Sequence, residues 1–574
     1  MPSSLDIATG PRPVHRLYRA ILLLTLGLAC TAFTPVKATT AADCAALKSL
    51  ALPHVRIEIA TRIVGSFTED MAVGRPPRTY TDLPAFCRVY GVSSPVPGSR
   101  IGFEVWMPMR GWSHRLHMIG GGAYVSNISY EEMIPRLDVG DVAVGTDTGH
   151  SGTNLKFGWH HRERIVDFGY RAVHETAVAA KAITRAFYGQ PARWSYFSGC
   201  STGGYQGLSE AQRYPGDFDG IIAGAPGNDR TDLTLAFLWN FLANHQPGDS
   251  AHPILSTADL LLINHAVVAT CDRLDGVADG VISDPPACHF DLQTLLCHEG
   301  DKPGSCLTAE QIAAAARIYA GPRDSRTGRQ IFPGFPFGAE GVMSGPSDPH
   351  PGWSGYWAEH DDPDEPSRAD LFRYWVFDDP AWNWWSFDWG KDVDIVHARL
   401  SAIFDAVNPD LRPFARHGGK LIMFIGWQDP VGSAYDAIDY AKSVEALMPG
   451  AGEAARRAAV QRFLRLYMVP GMGHCAGGPG ATDFSTATRD STPPVLDDIH
   501  DMTRALHAWV EQGRPPQTLI ATRYAAGTGK IAPQQRPIAF QRPLCVYPKK
   551  PVYRGGPTDA AASFACAMPD GPPK

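Results

Sequence analysis

Ser201 lies in Gly199-Cys200-Ser201-Thr202-Gly203. This G-x-S-x-G spacing suits a sharp strand-to-helix turn that pushes a serine hydroxyl out of the fold. A hydroxyl is a poor nucleophile until a base removes its proton. His474, in Gly471-Met472-Gly473-His474-Cys475, is the candidate base. Asp429, in Gly426-Trp427-Gln428-Asp429, is the candidate to hold the imidazole tautomer and stabilise the imidazolium. Cys200 directly precedes the serine, and Cys475 directly follows the histidine. If Ser201 and His474 are partners, the two cysteines must also be close, and a disulfide needs Cα atoms about 4.4–6.8 Å apart. A Cys200–Cys475 bridge is expected for that reason. A bonded cysteine has no thiolate, so Ser201 rather than Cys200 is read as the nucleophile. Gly120-Gly121-Gly122 would let backbone N–H groups approach a substrate closely. Gly121 and Gly122, with the Thr202 amide, are the candidate donors to a developing oxyanion. An ordinary glycine-rich turn is the competing reading of the glycines.

A second constellation is Asp272-Arg273-Leu274-Asp275-Gly276-Val277-Ala278-Asp279-Gly280-Val281. Its three carboxylates would repel unless a cation sat among them, and calcium prefers oxygen ligands. The spacing is not that of an EF-hand, and no glutamate closes the loop. The alternative is an acidic surface turn. Cys271 and Cys288 bracket the loop, and closing a loop of this size stabilises by about 3 kcal/mol. Further on, Tyr374, Trp375, Phe377, Trp382, Trp384, Trp385, Phe387 and Trp389 crowd one stretch. They could form an apolar core. They could also line a pocket for a flat aromatic substrate, which would then confer preference for aromatic acyl groups. His160 and His161 stand side by side, where a surface role is favoured over a metal pair.

The elements that must position these residues follow from the apolar pattern. Short strands are expected at Arg115–Ile119, Val142–Gly145, Trp194–Ser198, Gly220–Ala223, Lys420–Ile425 and Phe463–Val469. Helices are expected at Arg171–Tyr188 and Gly203–Tyr214. Another should run over Val495–Gln512, with Leu496, Ile499, Met502, Leu506, Trp509 and Val510 on one face. Strands alternating with helices argue for a parallel sheet. The rhythm breaks after Gly227 and resumes after Val407. An unstructured loop that long is implausible, so the insertion should be a lid domain with its own core. The expected organisation is a leader over 1–38, the first part of an α/β core over 39–227, a lid over 228–407 and the second part of the core over 408–574.

The leader reading rests on Arg12, Arg16 and Arg19, the apolar stretch Ala20–Phe33, and a small-residue cleavage site at Val36-Lys37-Ala38. A membrane anchor and a lipoprotein cut before Cys30 are the alternatives. No later run in the sequence is apolar enough to span a bilayer. Of 11 cysteines, ten follow this segment, an even number that suits disulfides in an exported chain. Connectivity does not follow from sequence alone. Local spacing favours Cys271–Cys288, Cys297–Cys306 and Cys545–Cys566, which leaves Cys44 with Cys87. The 574 residues carry a net charge of -7, which gives no basic footprint for nucleic acid.

Serine before acid before histidine is the α/β-hydrolase order. With Cys200-Ser201, His474-Cys475, Thr146-Asp147-Thr148-Gly149-His150, the bracketed acidic loop and Arg542-Pro543-Leu544-Cys545, the chain resembles the tannase and feruloyl esterase family. That family includes the bacterial enzyme that hydrolyses mono(2-hydroxyethyl) terephthalate. The resemblance runs from about Cys44 to Cys566. It implies an α/β-hydrolase core with a large inserted lid, a disulfide beside the triad and a structural calcium ion in the lid. Carried over by motif, the calcium ligands would be the carboxylates of Asp272, Asp275 and Asp279 and the backbone oxygens of Val277 and Val281. One departure is Ala123-Tyr124-Val125-Ser126, where the family pattern would have more glycine. The reading is an exported serine esterase, secreted or periplasmic, that cleaves gallate, hydroxycinnamate or terephthalate monoesters through an acyl-enzyme on Ser201. The alternatives are an esterase-like binding protein or a peptidase of the same fold.

Overall fold

Nine strands form one twisted sheet in the order β1-β2-β3-β5-β4-β6-β7-β8-β9. The computed structural model describes residues 43–70, 76–124, 128–341, 352–359, 361–485 and 491–569, so the expected leader lies outside the described residues. The strands are β1 Val55–Thr68, β2 Thr79–Ser93, β3 Ile101–Pro108, β4 Arg115–Ile119, β5 Val142–Thr146, β6 Trp194–Cys200, β7 Gly220–Gly224, β8 Lys420–Gly426 and β9 Leu464–Val469. The main helices are α1 Tyr130–Asp138, α2 Ala172–Tyr188, α3 Thr202–Arg213, α4 Arg230–Ala243, α5 Thr257–Cys271, α6 Ala309–Ala320, α7 Lys391–Phe404, α8 Ala434–Ala446 and α9 Met502–Gln512. From β5 through β4, β6, β7 and β8 to β9 the pairing is parallel, while β1, β2 and β3 extend the sheet antiparallel beyond β5. This is the expected α/β-hydrolase architecture.

Covering both faces of the sheet makes its central strands continuous apolar runs rather than alternating ones. Successive residues still part to opposite sides. Phe197, Ile221, Leu421 and Met423 pack into one cluster with α2, α3 and α8. Their neighbours Tyr196, Ile222, Ile422 and Phe424 pack into the other, with Leu506 and Trp509 of α9.

Helix α9 is shorter than its apolar pattern predicts. Asp497 accepts hydrogen bonds from the Ile499 and His500 amides at 2.9 and 2.8 Å, closing a local turn. Asp501 then caps α9 by accepting from the Arg504 amide. Leu496 and Ile499 are left 45% and 48% exposed, so the stripe across Val495–Gln512 is core only from Met502 onward.

The chain between β7 and β8 carries α4 to α7 and two apolar clusters. One joins α5 and α6 with Trp353 and Trp357. The other gathers Trp375, Trp382 and Phe387 with α7, against Phe157 and Phe168 of the preceding segment. The described residues form one compact unit. All five expected disulfides are present: Cys44–Cys87, Cys200–Cys475, Cys271–Cys288, Cys297–Cys306 and Cys545–Cys566. No described helix is long and apolar enough to cross a membrane.

Candidate active site

Ser201 occupies the turn between β6 and α3 with φ 61° and ψ −122°. A non-glycine residue held there is strained, and the surroundings must hold it. The Ser201 amide donates to the Gly224 carbonyl at 3.0 Å, and the Ser201 carbonyl accepts from Tyr205 N at 3.0 Å. The flanking glycines are required by space. A Cβ on Gly199 would lie 2.6 Å from Gly203 Cα, and one on Gly203 would crowd the Gly121 carbonyl oxygen at 3.1 Å and Gly120 Cα at 3.2 Å. The G-x-S-x-G spacing is thus a packing demand of the turn itself.

The acid and base stand on the loops after β8 and β9. His474 Nδ1 donates to Asp429 Oδ2 at 2.8 Å. Asp429 is only 1% exposed. Its other oxygen accepts from the Val431 amide at 2.8 Å, so both carboxylate oxygens are engaged and the side chain cannot swing away. With Nδ1 committed to Asp429, Nε2 is the His474 nitrogen left for a nucleophile's proton. The two loops are in close contact, since a Cβ on Gly426 would meet the Met472 carbonyl oxygen at 2.1 Å. Cys200 and Cys475 are bonded with Cα atoms 5.9 Å apart, so the serine turn and the histidine loop are covalently joined. Ser201, Asp429 and His474 line one cavity of about 450 Å³.

The glycine segment fits only part of its expected role. The Gly121 amide donates to Gln206 Oε1 at 2.9 Å, which removes Gly121 as a free oxyanion donor. The Gly120 amide donates to the Ser198 carbonyl at 2.9 Å. Gly122 lines the cavity. Thr202 begins α3, where backbone N–H groups have no partner within the helix. Its hydroxyl donates to the Ala123 carbonyl at 2.7 Å and accepts from Arg230 Nη2 at 2.8 Å, which fixes the glycine segment against the serine turn. Ala123, where the family pattern would have glycine, adopts φ 45° all the same.

Apolar walls come from Leu233, Phe237, Ile425 and Val431, with Tyr124 and Tyr356 beside them. Two cations join them. The Arg368 guanidinium lies 5.3 Å from the Tyr124 ring centre and 5.7 Å from that of Phe237. Arg230 lies 5.1 Å from Tyr124. Nothing in the sequence singled out Arg368 or Phe237, which stand alone without motif or repeat. The aromatic stretch from Tyr374 to Trp389 does not line this cavity. Trp375 donates from Nε1 to the Leu155 carbonyl at 2.7 Å and packs edge-on against Phe157, so the stretch is core. The expectation that it forms the substrate pocket is corrected accordingly. His160 is exposed and lies 3.5 Å from Asp378.

In the acidic loop, Asp272 Oδ1 accepts from the Asp279 and Gly280 amides at 3.1 and 3.0 Å. Asp275 accepts from the Val277 amide at 2.9 Å and from Ser283 Oγ at 2.6 Å. Asp279 accepts from the Val281 amide at 3.1 Å and pairs with Arg542. The donor set is all oxygen. Burial raises the Asp275 carboxyl above its ordinary pKa, and the charges of Asp279 and Asp272 add to that. A hard cation would relieve this crowding, so the residues fit calcium. The loop also reaches the triad. Ile282 O accepts from Gln428 Nε2 at 3.1 Å, and Gln428 directly precedes Asp429.

A mostly parallel sheet with serine, aspartate and histidine on the loops after its strands defines an α/β-hydrolase. The profile of the family described as "Tannase and feruloyl esterase" matches residues 87–567. The chain is 37% identical to an uncharacterised esterase of Xanthomonas campestris pv. campestris, over 95% of this chain and 94% of that one. It is 32% identical to a probable feruloyl esterase B of Emericella nidulans, over 88% and 90% of the two chains. The crystal structure of feruloyl esterase B from Aspergillus oryzae superposes with a TM-score of 0.81 at 26% identity, covering 91% of this chain and 99% of that one. The chain belongs to the tannase and feruloyl esterase family and is a carboxylic ester hydrolase.

Proposed function

We propose that this hydrolase is an exported serine esterase that cleaves esters of aromatic carboxylic acids through an acyl-enzyme on Ser201. The observation that carries the reading is the His474–Asp429 hydrogen bond of 2.8 Å in the cavity that the strained Ser201 also lines. His474 Nε2 takes the Ser201 proton as the oxygen attacks the ester carbonyl. Charge on the carbonyl oxygen is met by the Gly122 and Thr202 amides. Collapse releases the alcohol with the proton from His474. Water activated by His474 then releases the acid and restores the serine. Five disulfides support an oxidising, secreted or periplasmic location.

The acyl ring would rest between Leu233, Phe237 and Val431. Arg368 then suits a ring that carries an acceptor or a carboxylate away from the ester, as the candidate substrates do. Asp272, Asp275 and Asp279, with the Val277 and Val281 carbonyls, would hold a calcium ion that braces the loop against Arg542 and Gln428. The discriminating experiment compares methyl gallate, methyl ferulate, a terephthalate monoester and an aliphatic methyl ester on the wild type and Arg368→Gln. Aromatic esters should lead by at least tenfold in kcat/KM. Arg368→Gln should lose about 1.5–3 kcal/mol of transition-state stabilisation on the substrate with the most acidic ring substituent, as expected for a hydrogen bond to a charged group. Equal rates on the aliphatic ester would sink the aromatic reading and leave the triad standing.

A further inference from the structure

His117 in β4 points away from the α2–α3 face, between α1 and α9. Its Nδ1 faces Asp141 Oδ2 at 3.9 Å, and both residues are fully buried. His507 of α9 completes the group. One nitrogen or oxygen from each residue lies within 4.8 Å of the other two. None of His117 Nδ1, Asp141 Oδ2 and His507 Nε2 has a hydrogen-bond partner among the described residues. A separation of 3.9 Å is too long for a hydrogen bond.

The remaining atoms are accounted for in a way that fixes the orphans. His117 Nε2 bonds Ser198 Oγ at 2.8 Å. If it donates there, its Nδ1 presents a lone pair. Asp141 Oδ1 accepts from Ser113 Oγ at 2.7 Å, which aims Oδ2 at that lone pair. With that tautomer and an ionised Asp141, two lone pairs face each other and repel unless something electron-poor lies between them. Arg115 is drawn off by Glu511 at 2.6 and 2.9 Å.

We propose that His117, Asp141 and His507 bind one divalent transition-metal ion of the zinc type, at a site separate from both the triad and the acidic loop. Zinc takes neutral imidazole and carboxylate ligands at about 2.0–2.2 Å, so neighbouring ligand atoms stand about 3.3 Å apart and side-chain shifts of under about 1 Å close the set. Metal-binding histidines commonly bond a fixed partner through the other nitrogen, as His117 does with Ser198. His507 and Ser198 also line a cavity of about 790 Å³, which offers an entry path and a solvent ligand. The cluster of His174, Glu210 and Asp217 differs, because His174 and Asp217 already bond each other at 2.6 Å.

The test uses the full chain, stripped with chelator and restored with excess calcium so that the acidic loop is occupied. Zinc is then added, free metal is removed by gel filtration, and retained zinc is measured. One equivalent should remain on the wild type and on Ser201→Ala. Asp141→Asn and His507→Gln should each weaken retention by at least tenfold. Zinc should raise the melting temperature of the wild type but not of the variants. His507→Gln, on the less buried ligand, decides the matter if the fully buried Asp141→Asn does not fold. Retention equal in the wild type and His507→Gln would overturn the site, as would no retention at all.

Discussion

His474 and Asp429 stand 2.8 Å apart, whereas His117 and Asp141 stand 3.9 Å apart. The residue types are the same and the sheet is the same. The first pair sits on loops after β8 and β9, beside a cavity, with every carboxylate oxygen engaged. The second has Asp141 just before β5 and His117 within β4, with three atoms facing one another unpaired. A histidine–aspartate pair in hydrogen-bond contact can hold a tautomer and share a developing charge. A pair held apart, with unpaired atoms converging, leaves room for something placed between. Ångström-scale spacing, rather than residue identity, separates proton chemistry from cation binding.

The largest effect that tests this contrast is at the nucleophile. Ser201→Ala should lower kcat by about 10⁴–10⁶ with the melting temperature kept, and activity within tenfold of wild type would break the assignment. Asp429→Asn should follow with a loss of about 10⁴, because the wrong histidine tautomer then faces the serine. Trp375→Ala serves as a control for damage by instability alone. It removes a core ring and should cost about 3–5 kcal/mol of stability, with KM for aromatic esters unchanged at a temperature where the variant is folded. A shift in KM there would return the Tyr374–Trp389 stretch to the pocket wall. Calcium removal comes next. At 100 times Kd the ion would add about 2.7 kcal/mol, so the melting temperature should rise with calcium concentration. Because Ile282 bonds Gln428 beside Asp429, kcat should also fall in chelator, and an unchanged kcat with the site shown empty would disconnect loop from triad. The smallest effect is expected for Asp141→Asn, which should change esterase kcat less than tenfold while zinc retention falls. A loss as large as that of Asp429→Asn would erase the distinction between the two pairs.

The sequence made the core legible where physics leaves a local trace. Strands buried on both faces read as short apolar runs, and β4 to β9 fell within a residue or two of their expected bounds. The nucleophile turn announced itself through glycines that the packing demands. The five disulfides followed from parity, spacing and the triad argument together. What stayed hidden depends on distant contacts. Gly121 looked like a donor, yet its partner Gln206 is 85 residues away. Arg368 meets Tyr124 only after the insertion folds back over the core. The pattern across Val495–Gln512 is helical in period, but the Asp497 turn and the Asp501 cap decide where α9 begins. The aromatic stretch was compatible with both core and pocket, and only its neighbours Phe157 and Phe168 choose between them.

The Cys200–Cys475 bond spans 275 positions of sequence and encloses the whole excursion between β7 and β8. The insertion is therefore a closed covalent ring hung from the active site. A protease that nicks the ring once leaves the two halves of the hydrolase tethered at the place where they must meet. Such a nicked form should run as one species on a denaturing gel without reductant and as two with it. It should also keep more of its activity than nicking after reduction allows. Export would expose the chain to foreign proteases, and a site stitched across its own longest loop tolerates a cut there that an open chain would not.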